Sequence, residues 1–217
     1  MNWRVRRPEA VVIVLSGSVI LLALITAMSA GAPDQKVATV AGFVALFVPL
    51  LFRLVYRCPS RRAWPWVSPF YNDGIYALFA VFMAAHVSFL EVPFFHLDLY
   101  NTTWGYADVP SHFLGGMVTW LIFTFVVFQA SITYGRNWSA GKIVAIGTFA
   151  LLLVGLGWEL FEVALIPQMP WLYESFPNKV QDVVMEVLGV LTGVLMVTLV
   201  GYPYRIEGAQ REEAPMK

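Results

Sequence analysis

Two glutamates, Glu159 and Glu162, stand three residues apart inside a run that is otherwise almost wholly apolar from Ile143 to Ile166. An ionised carboxylate at mid-membrane costs roughly 2.5 kcal/mol or more on insertion scales, so two on one helix need partners. The chain offers such partners at helical spacing. Asp108 and His112 are four apart, as are Asp182 and Glu186, and each pair shares a helix face if the helix reaches it. His86 lies in a further apolar run. Glu91 follows it by five residues and cannot share its face; of the two, His86 is assigned to the cluster.

Asp108, Glu159, Glu162, Asp182 and Glu186 make five acids, with only Lys179 and the two histidines to offset them. Crowded carboxylates cannot all ionise without a cation. Either a divalent metal sits among them, or several are protonated, or water and substrate fill the space. Carboxylate and imidazole donors suit zinc, manganese, iron or copper. Paired Glu and His on facing helices are also how di-metal carboxylate bundles are built. The expected ligands are Asp108, His112, Glu162, Asp182 and His86, with Glu159 and Glu186 as acid and base. In an enzyme the metal would lower the pKa of its water towards 7, and a free glutamate would take the proton. Phosphoester hydrolysis and oxidation at a di-iron centre are both open. Haem ligation by His86 and His112 needs two rings at equal depth, which the spacing matches only roughly.

Six apolar runs must position these groups. The chain has 217 residues, 59% hydrophobic and 13% charged, against about 25% charged in soluble domains. The fold class expected is all-α, a polytopic six-helix membrane bundle, with spans at about 10–30, 37–56, 71–92, 112–134, 143–166 and 180–202. A basic segment, 1–9, precedes the bundle, and a polar tail, 203–217, follows it. The first span competes with a cleaved signal peptide, because Ala30-Gly31-Ala32 resembles a cleavage site; its apolar run is longer than a typical signal core. Cleavage would leave five spans. The N-terminus, the 53–62 and 135–142 loops and the tail hold twelve of the fourteen basic residues, which directs both termini to the cytoplasm of a plasma or inner membrane. The loop from Pro93 to Ser111 is expected on the opposite surface, and the proline- and tryptophan-rich stretch after Arg62 reads as an interfacial loop.

With about 1.5 Å of rise per residue, all the acids and histidines fall within roughly 12 Å of the extracytoplasmic boundary. Glycines continue their stripes: Gly155 below Glu159 and Glu162, Gly115 or Gly116 below His112, Gly189 and Gly193 below Glu186. Small residues let membrane helices approach closely. Zero net charge argues against a nucleic-acid partner, and the single Cys58 excludes an internal disulfide.

Three motifs carry a resemblance: Asp108-x3-His112-Phe113-x2-Gly116, Glu159-x2-Glu162, and Asp182-x3-Glu186-x2-Gly189. In this order and spacing they resemble the YjdF-like integral membrane proteins and, more distantly, VanZ-like proteins, over about residues 70 to 202. The last motif departs from the family pattern, which has an aspartate–methionine pair; here Met185-Glu186 follows Asp182 after two valines. The resemblance implies the six-helix fold and the site positions, and the VanZ-like likeness hints at envelope lipid or cell-wall chemistry.

The leading expectation is an outward-facing metal site in the bilayer that acts on a lipid or small amphipathic molecule. A proton- or ion-coupled transporter is the second, since protonatable acids between packed helices are its usual parts. The third is a non-catalytic subunit or scaffold whose cluster docks a membrane partner. A purely structural clasp, in which the polar groups only hold the helices together, competes with all three.

Overall fold

The computed structural model describes residues 7–30, 33–55, 59–87, 109–165, 167 and 176–204. Helix α1 spans Arg7–Ala30, α2 Pro33–Val55, α3 Trp64–Val67, α4 Asp73–His86, α5 Val109–Thr133, α6 Ala140–Leu165 and α7 Phe176–Leu195. A 3-10 turn, Ser68–Tyr71, joins α3 to α4, and a π turn, Met196–Val200, prolongs α7. No strand occurs among the described residues.

Among the described residues, four helical stretches are long and apolar enough to cross a membrane: Pro8–Ser29, Val109–Thr133, Ala140–Phe161 and Phe176–Val200. The two intermediate helices carry shorter apolar stretches, Thr39–Leu51 and Asp73–His86. The reasons are local. Helix α2 has Lys36 near one end and Arg53 near the other, with Pro49 inside it. Helix α4 has 14 residues, about 21 Å at 1.5 Å each, against a hydrocarbon core of about 30 Å. Residues 88–92, assigned from sequence to the third span, lie outside the described residues.

Several helices begin earlier than the apolar pattern suggests, and prolines explain it. Pro33 opens α2, Pro110 lies in the first turn of α5, and Pro177 in the first turn of α7. First-turn N–H groups have no intrahelical partner, so proline is tolerated there. The stretch expected as an interfacial loop is in fact α3 and its 3-10 turn, with Pro65 and Pro69 again near element starts. The Trp64 indole donates to Gln129 Oε1 on α5 at 3.0 Å and fixes this corner.

Packing divides the helices into two groups joined by α4. Helices α1, α2 and α4 share a side-chain core that includes Ile20, Leu46, Tyr76 and Ala80. Helix α5 is the hub of the other group, packing on α3, α4, α6 and α7. Its core includes Trp120, Leu121, Phe125 and Phe128, and Tyr204 folds back onto these last two rings. Tyr204 is thus buried, although the sequence assigns it to the polar tail.

The α5–α7 seam is a close backbone approach at two glycines. A Cβ on Gly116 would meet the Glu186 backbone, with its Cα 2.7 Å away. A Cβ on Gly189 would meet the Phe113 carbonyl and, at 2.8 Å, the Met117 nitrogen. On α7, Gly193 leaves room for the Trp120 ring. Helix α6 presents Leu152, Leu153, Leu156, Leu160 and Phe161 outward, as expected of a lipid-facing helix.

Candidate functional site

Where α5 and α7 begin and α4 and α6 end, the polar groups meet. His112 lies one turn before Gly116 on α5, and Glu186 lies three residues before Gly189 on α7. The glycine contacts bring these two backbones together, and the side chains follow. His112 Nδ1 stands 3.4 Å from Glu186 Oε1, and its Nε2 stands 3.6 Å from Asp182 Oδ1. Asp182 is buried, 2% exposed, and accepts a hydrogen bond from Asn178 Nδ2 at 3.2 Å. The other oxygen of Glu186 reaches α6, where it lies 3.5 Å from the position of a Cβ on Gly155.

One turn beyond Gly155, Glu159 accepts a hydrogen bond from Lys179 Nζ at 2.8 Å, which ties α6 to the start of α7. The sequence left Lys179 open to a local pairing with Asp182; the structure pairs it with Glu159 across on α6. His86 closes α4 with Nδ1 2.8 Å from the Ser111 hydroxyl of α5. It is therefore next to the cluster through the residue that precedes His112.

Of the seven residues singled out from the sequence, His112, Asp182 and Glu186 come together directly. Glu159 joins them through Lys179 and the α6–α7 approach, and His86 borders them through Ser111. Asp108 lies outside the described residues. Glu162 is on the α6 backbone, and its side chain is outside the described part. Among the described residues, no three His, Cys, Asp or Glu side chains form a group able to hold a metal ion. The geometry gives the reason: Asp182 and Glu186 lie on different nitrogens of one ring, so a single ion on that ring cannot meet both.

Ser111 and Asn178 are the participants that sequence reasoning missed. Asn178 precedes Asp182 by four residues, a spacing that was readable as a shared helix face. Ser111 had been read only as a helix start, and no pattern linked it to a histidine 25 residues earlier.

His112 and Glu186 converge from two helices, so the arrangement offers a cation two donors, fewer than the three of a metal-holding group. It can also hold a proton, because an imidazolium would donate to a carboxylate on each side. Comparison with known proteins adds nothing to either: no protein-family model, curated protein or solved structure matches the chain.

Proposed function

We propose that the protein is a six-span membrane protein, both termini cytoplasmic, whose extracytoplasmic layer of acids and histidines binds a divalent or transition metal. The basic-residue asymmetry supports this orientation, and α2 and α4 complete the six spans in this reading. The substrate would be a lipid or small amphipathic molecule. The likeness of the three motifs to YjdF-like proteins belongs to the same proposal.

One observation carries the reading. His112 Nδ1 and Glu186 Oε1 are 3.4 Å apart, while the other ring nitrogen faces the buried Asp182 carboxylate. Two donors about 2.1 Å from one zinc-like ion at a tetrahedral angle are separated by about 3.4 Å. A metal-binding histidine commonly has its second nitrogen held by a carboxylate, which fixes the ring and raises its basicity. In this reading His112 and Glu186 are ligands, and Asp182 orients His112 instead of ligating. Glu162 and Asp108 are the candidates for further ligands, and Glu159 is the candidate acid or base. The metal would supply Lewis acidity. Glu159, held by Lys179, would accept or return a proton beside it.

A second reading rests on the same ring. A protonated His112 between two carboxylates is also the arrangement of a proton-coupled carrier.

Elemental analysis of the detergent-purified protein, without added metal or chelator, decides between them. A near-stoichiometric transition metal, lost in Glu186→Gln and in His112→Ala, is the expected result. Asp182→Asn should retain the site with affinity lowered by about 10- to 100-fold. No metal in the wild type, even after metal is added back, would sink the metal reading. Glutamate-dependent proton flux in proteoliposomes would then favour the carrier.

A further inference from the structure

At the opposite end of the bundle, α5 terminates in a tight turn. Gly135 has φ +62, a left-handed conformation that glycine adopts without strain. The turn satisfies the helix-end carbonyls in sequence: Arg136 N donates to Ser131 O at 2.8 Å, and Gly135 N to Ile132 O at 3.1 Å. The next carbonyl, Thr133 O, accepts from Arg61 Nη2 at 2.9 Å, and the Tyr134 hydroxyl reaches back to the Arg62 carbonyl at 3.5 Å. These contacts pin the 59–63 segment against the end of α5.

Between the two segments lies a pocket of about 390 Å³ lined by Arg61, Arg62, Thr133, Tyr134 and Gly135. No acid lines it. Arg61 spends one of its five N–H donors on Thr133 O. Among the described residues the Arg62 guanidinium makes no hydrogen bond or ion pair. The carbonyl end of a helix repels anions, but Arg61 covers that end here. Two arginines therefore line a space that no acid among the described residues borders.

The depth of the pocket identifies what fills it. The apolar stretch of α5 ends at Thr133, so the pocket lies where hydrocarbon gives way to headgroups. Aromatic side chains mark the same level: Trp66 is 70% exposed, Tyr134 is 53% exposed, and the Trp138 ring has Lys142 Nζ 4.9 Å above it. A guanidinium matches the oxygens of a phosphate by paired N–H donors, and basic pockets between helices at this level suit lipid phosphates.

We propose that this pocket binds the phosphodiester headgroup of an anionic lipid, with Arg62 as the principal anion ligand and Arg61 supporting it. The site is separate from the acidic cluster and does not depend on the metal reading; it rests only on the helices lying in a bilayer.

The test uses the full chain in neutral detergent and follows its thermal midpoint against three probes: dihexanoyl-phosphatidylglycerol, dihexanoyl-phosphatidylcholine and inorganic phosphate. The phosphatidylglycerol should raise the midpoint at concentrations where the other two do not. Arg62→Gln should weaken its apparent affinity at least five-fold with the lipid-free midpoint unchanged, and Arg62→Lys should recover part of it. Arg136→Gln removes an exposed charge outside the pocket and should leave affinity intact. The proposal is overturned if both lipids act equally, if Arg62→Gln binds as the wild type does, or if Arg136→Gln loses as much. Inorganic phosphate acting as strongly as the phosphatidylglycerol would also overturn it, since the site would then take a free anion.

Discussion

Two polar clusters between the described helices are built differently. Near the basic end, Arg53 of α2 meets Asp73 of α4 at 2.6 Å, with side-chain exposures of 6% and 16%. The guanidinium also lies over the Tyr76 ring, 5.7 Å from its centre. Near the acidic end, His112 stands 3.4 Å from Glu186, with side-chain exposures of 21% and 35%. The first pair is short, opposite in charge and enclosed. The second is longer, surplus in acid and partly open. A pair whose job is to join two helices has no use for an open edge, whereas a binding site needs one. The contrast separates a structural clasp from a candidate site without reference to what the site binds.

Substitutions at either end can break this distinction. The largest loss is expected from Arg53→Met, which leaves Asp73 without its guanidinium; losing one partner of a buried pair costs about 3–5 kcal/mol. Unfolding in detergent would report it, and metal content per folded molecule should not change. If metal content fell as stability did, the two ends would be coupled and the distinction would fail. A smaller loss is expected from Gly189→Ala. Its methyl would press on the Phe113 carbonyl and the Met117 nitrogen, and overpacking of this kind costs about 1–3 kcal/mol. Because the same contact sets His112 against Glu186, this variant should weaken metal binding along with stability. Intact binding would show that the side chains find each other without the glycine seam. The smallest effect is expected from Lys179→Met. Its ion pair with Glu159 is 21% and 28% exposed, and such pairs contribute about 0–1 kcal/mol. A loss near that of Arg53→Met would make this pair a second clasp.

Much of the helical layout was legible in the sequence, because apolar runs and prolines mark where a backbone can satisfy itself in hydrocarbon. The glycine stripes were legible too, since Gly116, Gly189 and Gly193 recur on the faces of His112 and Glu186. What composition could not provide was pairing across helices. Lys179 could reach Asp182 three residues on or Glu159 on another helix, and only the α6–α7 approach decides. Asp182 and Glu186 share a helix face, yet they take opposite nitrogens of His112, because the ring lies between them along the axis. The α3 corner was hidden for another reason. Trp64 and Pro65 suit a surface loop as well as a short helix, and the long-range bond from Trp64 to Gln129 accompanies the helix rather than the loop.

The backbone contact of α5 with α7 has a consequence for membranes of different thickness. A change of bilayer thickness is ordinarily absorbed by tilting or sliding of helices. Sliding α7 by one residue along α5 moves it about 1.5 Å and would drive a neighbour's bulk into the place Gly189 leaves for the Phe113 carbonyl. These two helices must therefore tilt as a unit, with the heights of His112 and Glu186 fixed relative to each other. Helix α6 belongs to the same frame: a Cβ on Gly147 would meet the Thr124 Cα of α5 at 2.9 Å, and Lys179 ties Glu159 to α7. His112, Glu186 and Glu159 then keep their relative depths, and the three helices answer a change of thickness by tilting together.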